Sequence, residues 1–136
     1  MQAARALPFP FTLTGRTENF LRGSTDLDAT IKRLQAFEQA GADVLMAPGL
    51  PDLAAVRTVC AALSKPFSFM AGIKCKSFTV AELEAAGVKR ISVATSLYRI
   101  AMTGLLDAAR EVKDKGTFGY LDRSVATPDL NAFMQP

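Results

Sequence analysis

The 136-residue chain has no histidine and no tryptophan. The first absence removes both the commonest general base and the commonest transition-metal ligand. Cysteine is scarce: Cys60 and Cys75 form neither a CxxC pair nor a disulfide framework, so a reducing cytoplasm is the expected setting. No apolar run approaches the length of a membrane span, and Met1 to Ala6 is too short and lacks the apolar centre of a signal peptide. Strong charge is missing too. Sixteen basic residues against thirteen acidic ones leave +3, scattered along the chain. The aromatics are mostly Phe within apolar runs, so no stacking platform alternates with cations, and neither nucleic acid nor membrane is an expected partner.

What remains is an ordinary globular composition, 49% apolar and 21% charged, enough for one domain over 1–136 with a real core. Four short β-prone runs, about 9–14, 43–47, 67–71 and 90–94, alternate with stretches of helical periodicity. Pro8 and Pro10 bracket the first run, as proline is tolerated at strand starts and edges. Ser24 or Thr25 is placed to cap the first long helix, with Asp26 and Asp28 suiting its positive end. Pro51 sits where a first helical residue belongs, with Asp52 in the first turn. Thr79 and Glu82 have capping-box spacing. Gly41 and Gly87 each close a helix before a buried strand. Cys60 on an inner helical stripe reads as a small core residue. Leu97, Ala101, Leu105, Ala108 and Val112 mark a long helix from Thr95 or Ser96 to about Gly116, and Thr127-Pro128-Asp129 starts a last short one. Strand and helix alternating four times imply a parallel α/β sheet.

The chain is organised around Thr12-Leu13-Thr14-Gly15-Arg16-Thr17-Glu18-Asn19. An apolar run gives way to a guanidinium, a hydroxyl, a carboxylate and an amide, which is how a buried strand of an α/β protein ends in a site. Arg16 offers a rigid fork suited to a carboxylate or phosphate. The same residues equally describe a surface ion pair, Arg16 with Glu18, at a strand end.

From Thr14 to Gly23 the sequence resembles the fifth strand and following loop of the phosphoenolpyruvate mutase/isocitrate lyase family, whose members usually carry Ala-Arg-Thr followed by an acid there. The likeness continues through Asp26-Leu27-Asp28, Ala40 to Leu45, Pro48 to Asp52 and Leu83 to Val93. It implies a (β/α)8 TIM-type barrel of which only the last four βα units are present, a half-barrel, with the helix from Ser96 and the tail exchanged between subunits of a homo-oligomer. It also implies Mg²⁺-assisted cleavage or formation of a C–C or C–P bond beside a 2-oxo acid or enolpyruvate-type carboxylate. Arg16 carries over as ligand of the substrate carboxylate or phosphonate, with Glu18 and Asn19 as supporting members. The family's metal-binding acids and its Lys-Cys-Gly-His type loop belong to the first four units, so the Mg²⁺ ligands are not in this chain and no catalytic residue is assigned. Pro48 and Gly72 stand where methylisocitrate lyases place a glutamate and an asparagine, which points to another substrate. Lys74-Cys75-Lys76 lacks the loop's glycine and histidine; Cys75 there is a loop thiol, or one whose pKa the flanking lysines lower.

These readings imply a chain inactive by itself. The alternatives are an inert half-barrel that oligomerises by pairing two half-barrels or by helix swapping, and a phosphate-binding half with Gly72 and Thr95-Ser96 at its loops.

Overall fold

A computed structural model describes residues 2–73 and 77–135. Lys74, Cys75 and Lys76, and with them the question of the Cys75 thiol, lie outside the described residues. The chain divides into two compact units, 1–96 and 97–136.

The first unit holds a four-stranded parallel sheet of order β1-β2-β3-β4. Its strands are β1 (Thr14–Arg16), β2 (Val44–Met46), β3 (Phe67–Met70) and β4 (Arg90–Ser92). After the short α1 (Gln2–Arg5), the helices α2 (Leu27–Gln39), α3 (Leu53–Ala61) and α4 (Val80–Ala85) connect successive strands. Gly15, Leu45, Phe67, Phe69 and Ile91 face these helices. Leu34 of α2, Val56 and Val59 of α3 and Leu83 of α4 pack with Leu45, Phe67 and Phe69 into one core. A Cβ on Gly15 would stand 2.8 Å from Phe37 Cβ, so the missing side chain lets α2 lie against β1.

β1 begins later than the expected 9–14. Pro8 and Pro10 cannot donate to a ladder, and Phe9 and Phe11 are exposed. Pairing starts at Leu13, whose carbonyl accepts from Asp43 N at 2.8 Å and Val44 N at 3.2 Å. Leu13 N donates to Asp43 Oδ2 at 2.8 Å, and Arg5 Nη2 donates to the other oxygen at 2.8 Å. Together these hold the Asp43 carboxyl below its ordinary pKa, the Arg5 hydrogen bond contributing most. β4 ends early at Ser92, two residues before Ala94 adopts a left-handed φ of 48°.

The cap of α2 is Asp26, accepting from Ala29 N at 2.9 Å, and not Ser24 or Thr25. Pro51 stays outside α3, whose cap is Asp52, accepting from Ala55 N at 2.8 Å. In both cases a carboxylate accepts from a free N–H of the first turn, where a hydroxyl was expected to do so at α2 and proline was expected to be the first helical residue of α3. The Thr79–Glu82 capping box forms with both reciprocal bonds. Gly41 and Gly87 each take φ of 95° at a helix end. Glu38 Oε1 accepts from Ser64 N, Ser64 Oγ and Lys65 N, tying α2 to the segment that leads into β3. Cys60 is half-buried beside Gly87; burial pushes its thiol pKa up, partly offset by Lys89.

The second unit consists of α5 (Ser96–Lys115) past Ser96, a 3-10 turn (Gly119–Arg123) and α6 (Thr127–Ala132). Glu111 fastens the chain after α5, accepting from Thr117 Oγ1 at 2.9 Å and Gly119 N at 2.6 Å. No residue of α5 is buried.

Candidate anion-binding site

Side chains alternate along a strand. If Gly15 and Leu45 face the helices, Thr14, Arg16, Val44, Met46, Ser68, Met70, Arg90 and Ser92 face the other way. Two contacts agree: Arg16 Nη1 lies 3.8 Å from Met46 Sδ, and Arg90 Nη1 donates to Ser68 Oγ at 3.3 Å. The parallel register places Arg16 opposite Met46, Met46 opposite Ser68 and Ser68 opposite Arg90. One row across the face turned away from α2, α3 and α4 therefore reads Arg, Met, Ser, Arg, with Met46 and Ser68 buried at its centre.

Arg16 is the last residue of β1, where the ladder is prolonged by Thr17 N donating to Met46 O at 3.0 Å. Its Nε donates to the Glu18 carboxylate, forming an ion pair whose side chains are 42% and 40% exposed. The guanidinium is thus held at the strand tip, with its Nη2 edge carrying no hydrogen bond among the described residues.

Asn19 does not join this pair. Thr17 Oγ1 donates to Asn19 Oδ1 at 2.9 Å, Asn19 Nδ2 donates to Thr30 Oγ1 at 3.3 Å, and Thr30 Oγ1 donates to Asp26 O at 2.9 Å. Thr17 and Thr30 are buried, so Asn19 satisfies two buried hydroxyls and anchors the loop to α2. The structure brings Arg16 and Glu18 together and turns Asn19 toward the helices. At the loop expected to suit phosphate, the Ser96 hydroxyl donates to Val93 O at 2.6 Å. The residue missed from sequence is Arg90. Its signal was the polar–apolar–polar alternation of Arg90-Ile91-Ser92, which puts the guanidinium opposite the core-packed Ile91. Among the described residues, no group of three or more His, Cys, Asp or Glu side chains is placed to hold a metal ion, and no helix is long and apolar enough to cross a membrane.

The phosphoenolpyruvate phosphomutase family profile matches residues 1–113. The chain belongs to the phosphoenolpyruvate mutase/isocitrate lyase superfamily. A Burkholderia cenocepacia J2315 protein provisionally assigned as a lyase/mutase is 46% identical, with a TM-score of 0.93 over 99% of this chain and 49% of its own. A provisionally assigned phosphonomutase from the same organism is 35% identical, with a TM-score of 0.72 over 81% of this chain and 46% of its own. At 22% identity a 2,3-dimethylmalate lyase shares the fold, with a TM-score of 0.74 over 87% of this chain and 41% of its own. No curated protein matches. The chain spans about half the length of the solved superfamily members it matches.

Proposed function

We propose that this chain is the C-terminal half of a (β/α)8-barrel enzyme of the lyase/phosphonomutase type. The whole enzyme acts on a small 2-oxo acid or enolpyruvate-type carboxylate, and Arg16 holds the substrate's anionic group. The supporting observation is the placement of Arg16. It ends a parallel strand, where α/β proteins bind ligands, and Glu18 fixes its Nε while its Nη2 edge stays open. Within the first unit α2, α3 and α4 share one face of the sheet, while Arg16, Ser68, Arg90 and Ser92 lie on the other with Val44, Met46 and Met70, which favours a segment of a closed barrel. A homo-oligomer joined through α5 belongs to the same reading, because the apolar stripe of that helix lacks a buried residue.

Mg²⁺ is expected for the superfamily, but the residues present do not fit it. The carboxylate beside Arg16 is engaged by that guanidinium, and no cluster of acids accompanies it among the described residues. Arg16 therefore binds and orients an anion here, and the bond-breaking groups belong to sequence that this chain does not contain.

Titration with oxaloacetate and phosphonopyruvate, followed by NMR of the arginine side-chain N–H groups, tests the reading. Binding at Arg16 is expected, lost at least tenfold in Arg16→Met, with no Mg²⁺-dependent turnover of either compound or of 2-methylisocitrate. Equal binding by Arg16→Met, or clear turnover by the chain alone, would reject it. The uncovered α5 stripe favours one second reading, an inert oligomerisation module, which predicts self-association without any anion binding.

A further inference from the structure

Two of the three guanidinium nitrogens of Arg16 already have a neighbour. Nε donates to the Glu18 carboxylate, and Nη1 lies 3.8 Å from the Met46 sulfur, a weak acceptor. With Nε taken, a ligand meets two nitrogens at once only along the Nη1–Nη2 edge. A carboxylate suits that edge, because its two oxygens lie in one plane with the donors.

A phosphonate makes two further demands. It is tetrahedral, so with two oxygens on the edge the third stands outside the guanidinium plane and needs a donor of its own. The described side chains around Arg16 do not supply one. Met46 presents a thioether and Glu18 a carboxylate. The adjacent hydroxyl, Thr17, is buried and donates to Asn19 Oδ1, while Asn19 Nδ2 donates to Thr30. The second demand is charge. Arg16 and Glu18 together are neutral, so a bound carboxylate leaves one net negative charge and a phosphonate dianion leaves two. The other guanidinium of the row, Arg90, is three strand spacings away, roughly 14 Å, and donates to Ser68. That distance is too great for both arginines to hold one anionic group.

We propose that Arg16 selects a planar carboxylate against a phosphonate, and that Glu18 is the residue that makes the distinction. This rests on the reading of Arg16 as the anion holder and narrows it: the substrate group presented to β1 is a carboxylate. A guanidinium without Glu18 would choose the other way, because a dianion attracts a cation more strongly than a monoanion does. The order of the two affinities is therefore diagnostic.

The test titrates the full chain with propionate and with ethylphosphonate, which carry one anionic group each, at a pH where the phosphonate is doubly ionised. NMR of the Arg16 side-chain N–H groups follows binding. Propionate is expected to bind at least threefold more tightly. Glu18→Gln, which removes the charge and keeps the shape, is expected to move the ratio at least fivefold toward ethylphosphonate. The wild-type chain gives a readout without any variant: lowering the pH until ethylphosphonate regains one proton should tighten its binding, because one charge is gone and its P–OH can donate to Glu18. Equal or tighter binding of the ethylphosphonate dianion by the wild-type chain overturns the proposal and leaves Arg16 as the anion holder. So does an unchanged ratio in Glu18→Gln. If neither probe moves the Arg16 signals, the underlying reading of Arg16 falls, and this proposal with it.

Discussion

Arg16 and Glu18 are locked to each other at the carboxyl end of β1, and the pair remains about two-fifths exposed. Exposure makes the pair weak as a source of stability but effective as an orienting device. Glu18→Gln is expected to change folding free energy by less than about 1 kcal/mol in urea titrations. It should strengthen oxaloacetate binding a few-fold, because a competing carboxylate is removed from the guanidinium. Weaker binding in this variant would mean that Glu18 serves the ligand directly.

Asn19 works on the other side of the same loop. Asn19→Ala strands the buried hydroxyl of Thr17 and removes a donor from Thr30, which keeps its bond to Asp26 O, and an unsatisfied buried polar group costs about 1–3 kcal/mol. A loss of about 2 kcal/mol is expected by denaturant unfolding, with anion binding retained by the folded fraction.

Gly15→Ala is expected to be harmful. The new methyl would meet Phe37 Cβ at 2.8 Å and Leu45 Cδ2 at 3.2 Å, and overpacking of this kind costs about 1–3 kcal/mol. Because the obstructing atom is a Cβ, Phe37→Ala should not rescue it. A melting temperature equal to wild type would show that α2 is free to move outward.

Acid should loosen the start of β1 first. The Asp43 carboxyl is held below its ordinary value of 3.8, mainly by Arg5 and then by Leu13 N. A group whose pKa is lowered by folding contributes stability above its unfolded value, and that contribution fades as the pH falls through the lowered folded value. Asp43→Asn should therefore be less stable than wild type at pH 7 and converge with it below about pH 4. Parallel melting curves across that range would contradict this origin.

The alternation of strands and helices was legible because burial imposes it: each strand must be apolar toward the helices, and each helix needs a stripe. The capping box at Thr79 and the left-handed glycines at 41 and 87 were legible because their backbone chemistry is local. The start of β1 was misplaced because the apolar character of Phe9 and Phe11 outweighed a fact already in view, the two prolines without N–H groups. Arg16 and Glu18 stood out as polar residues following an apolar run. Arg90 did not, because its meaning comes from register: only three successive pairings over four strands put it in one row with Arg16. Asn19 stood next to Glu18 in sequence, but it opens a 3-10 turn past the end of β1, where its side chain meets Thr17 and Thr30 instead of Arg16.

Pro8 and Pro10 have a consequence for how this protein would spoil. The stretch ahead of β1 is rich in phenylalanine and would otherwise be a sticky template for fibril growth, yet an imide nitrogen at every second position denies an incoming strand its donors. β4 has no such guard within its length, and polymerisation, where it occurs, is expected to start from that side.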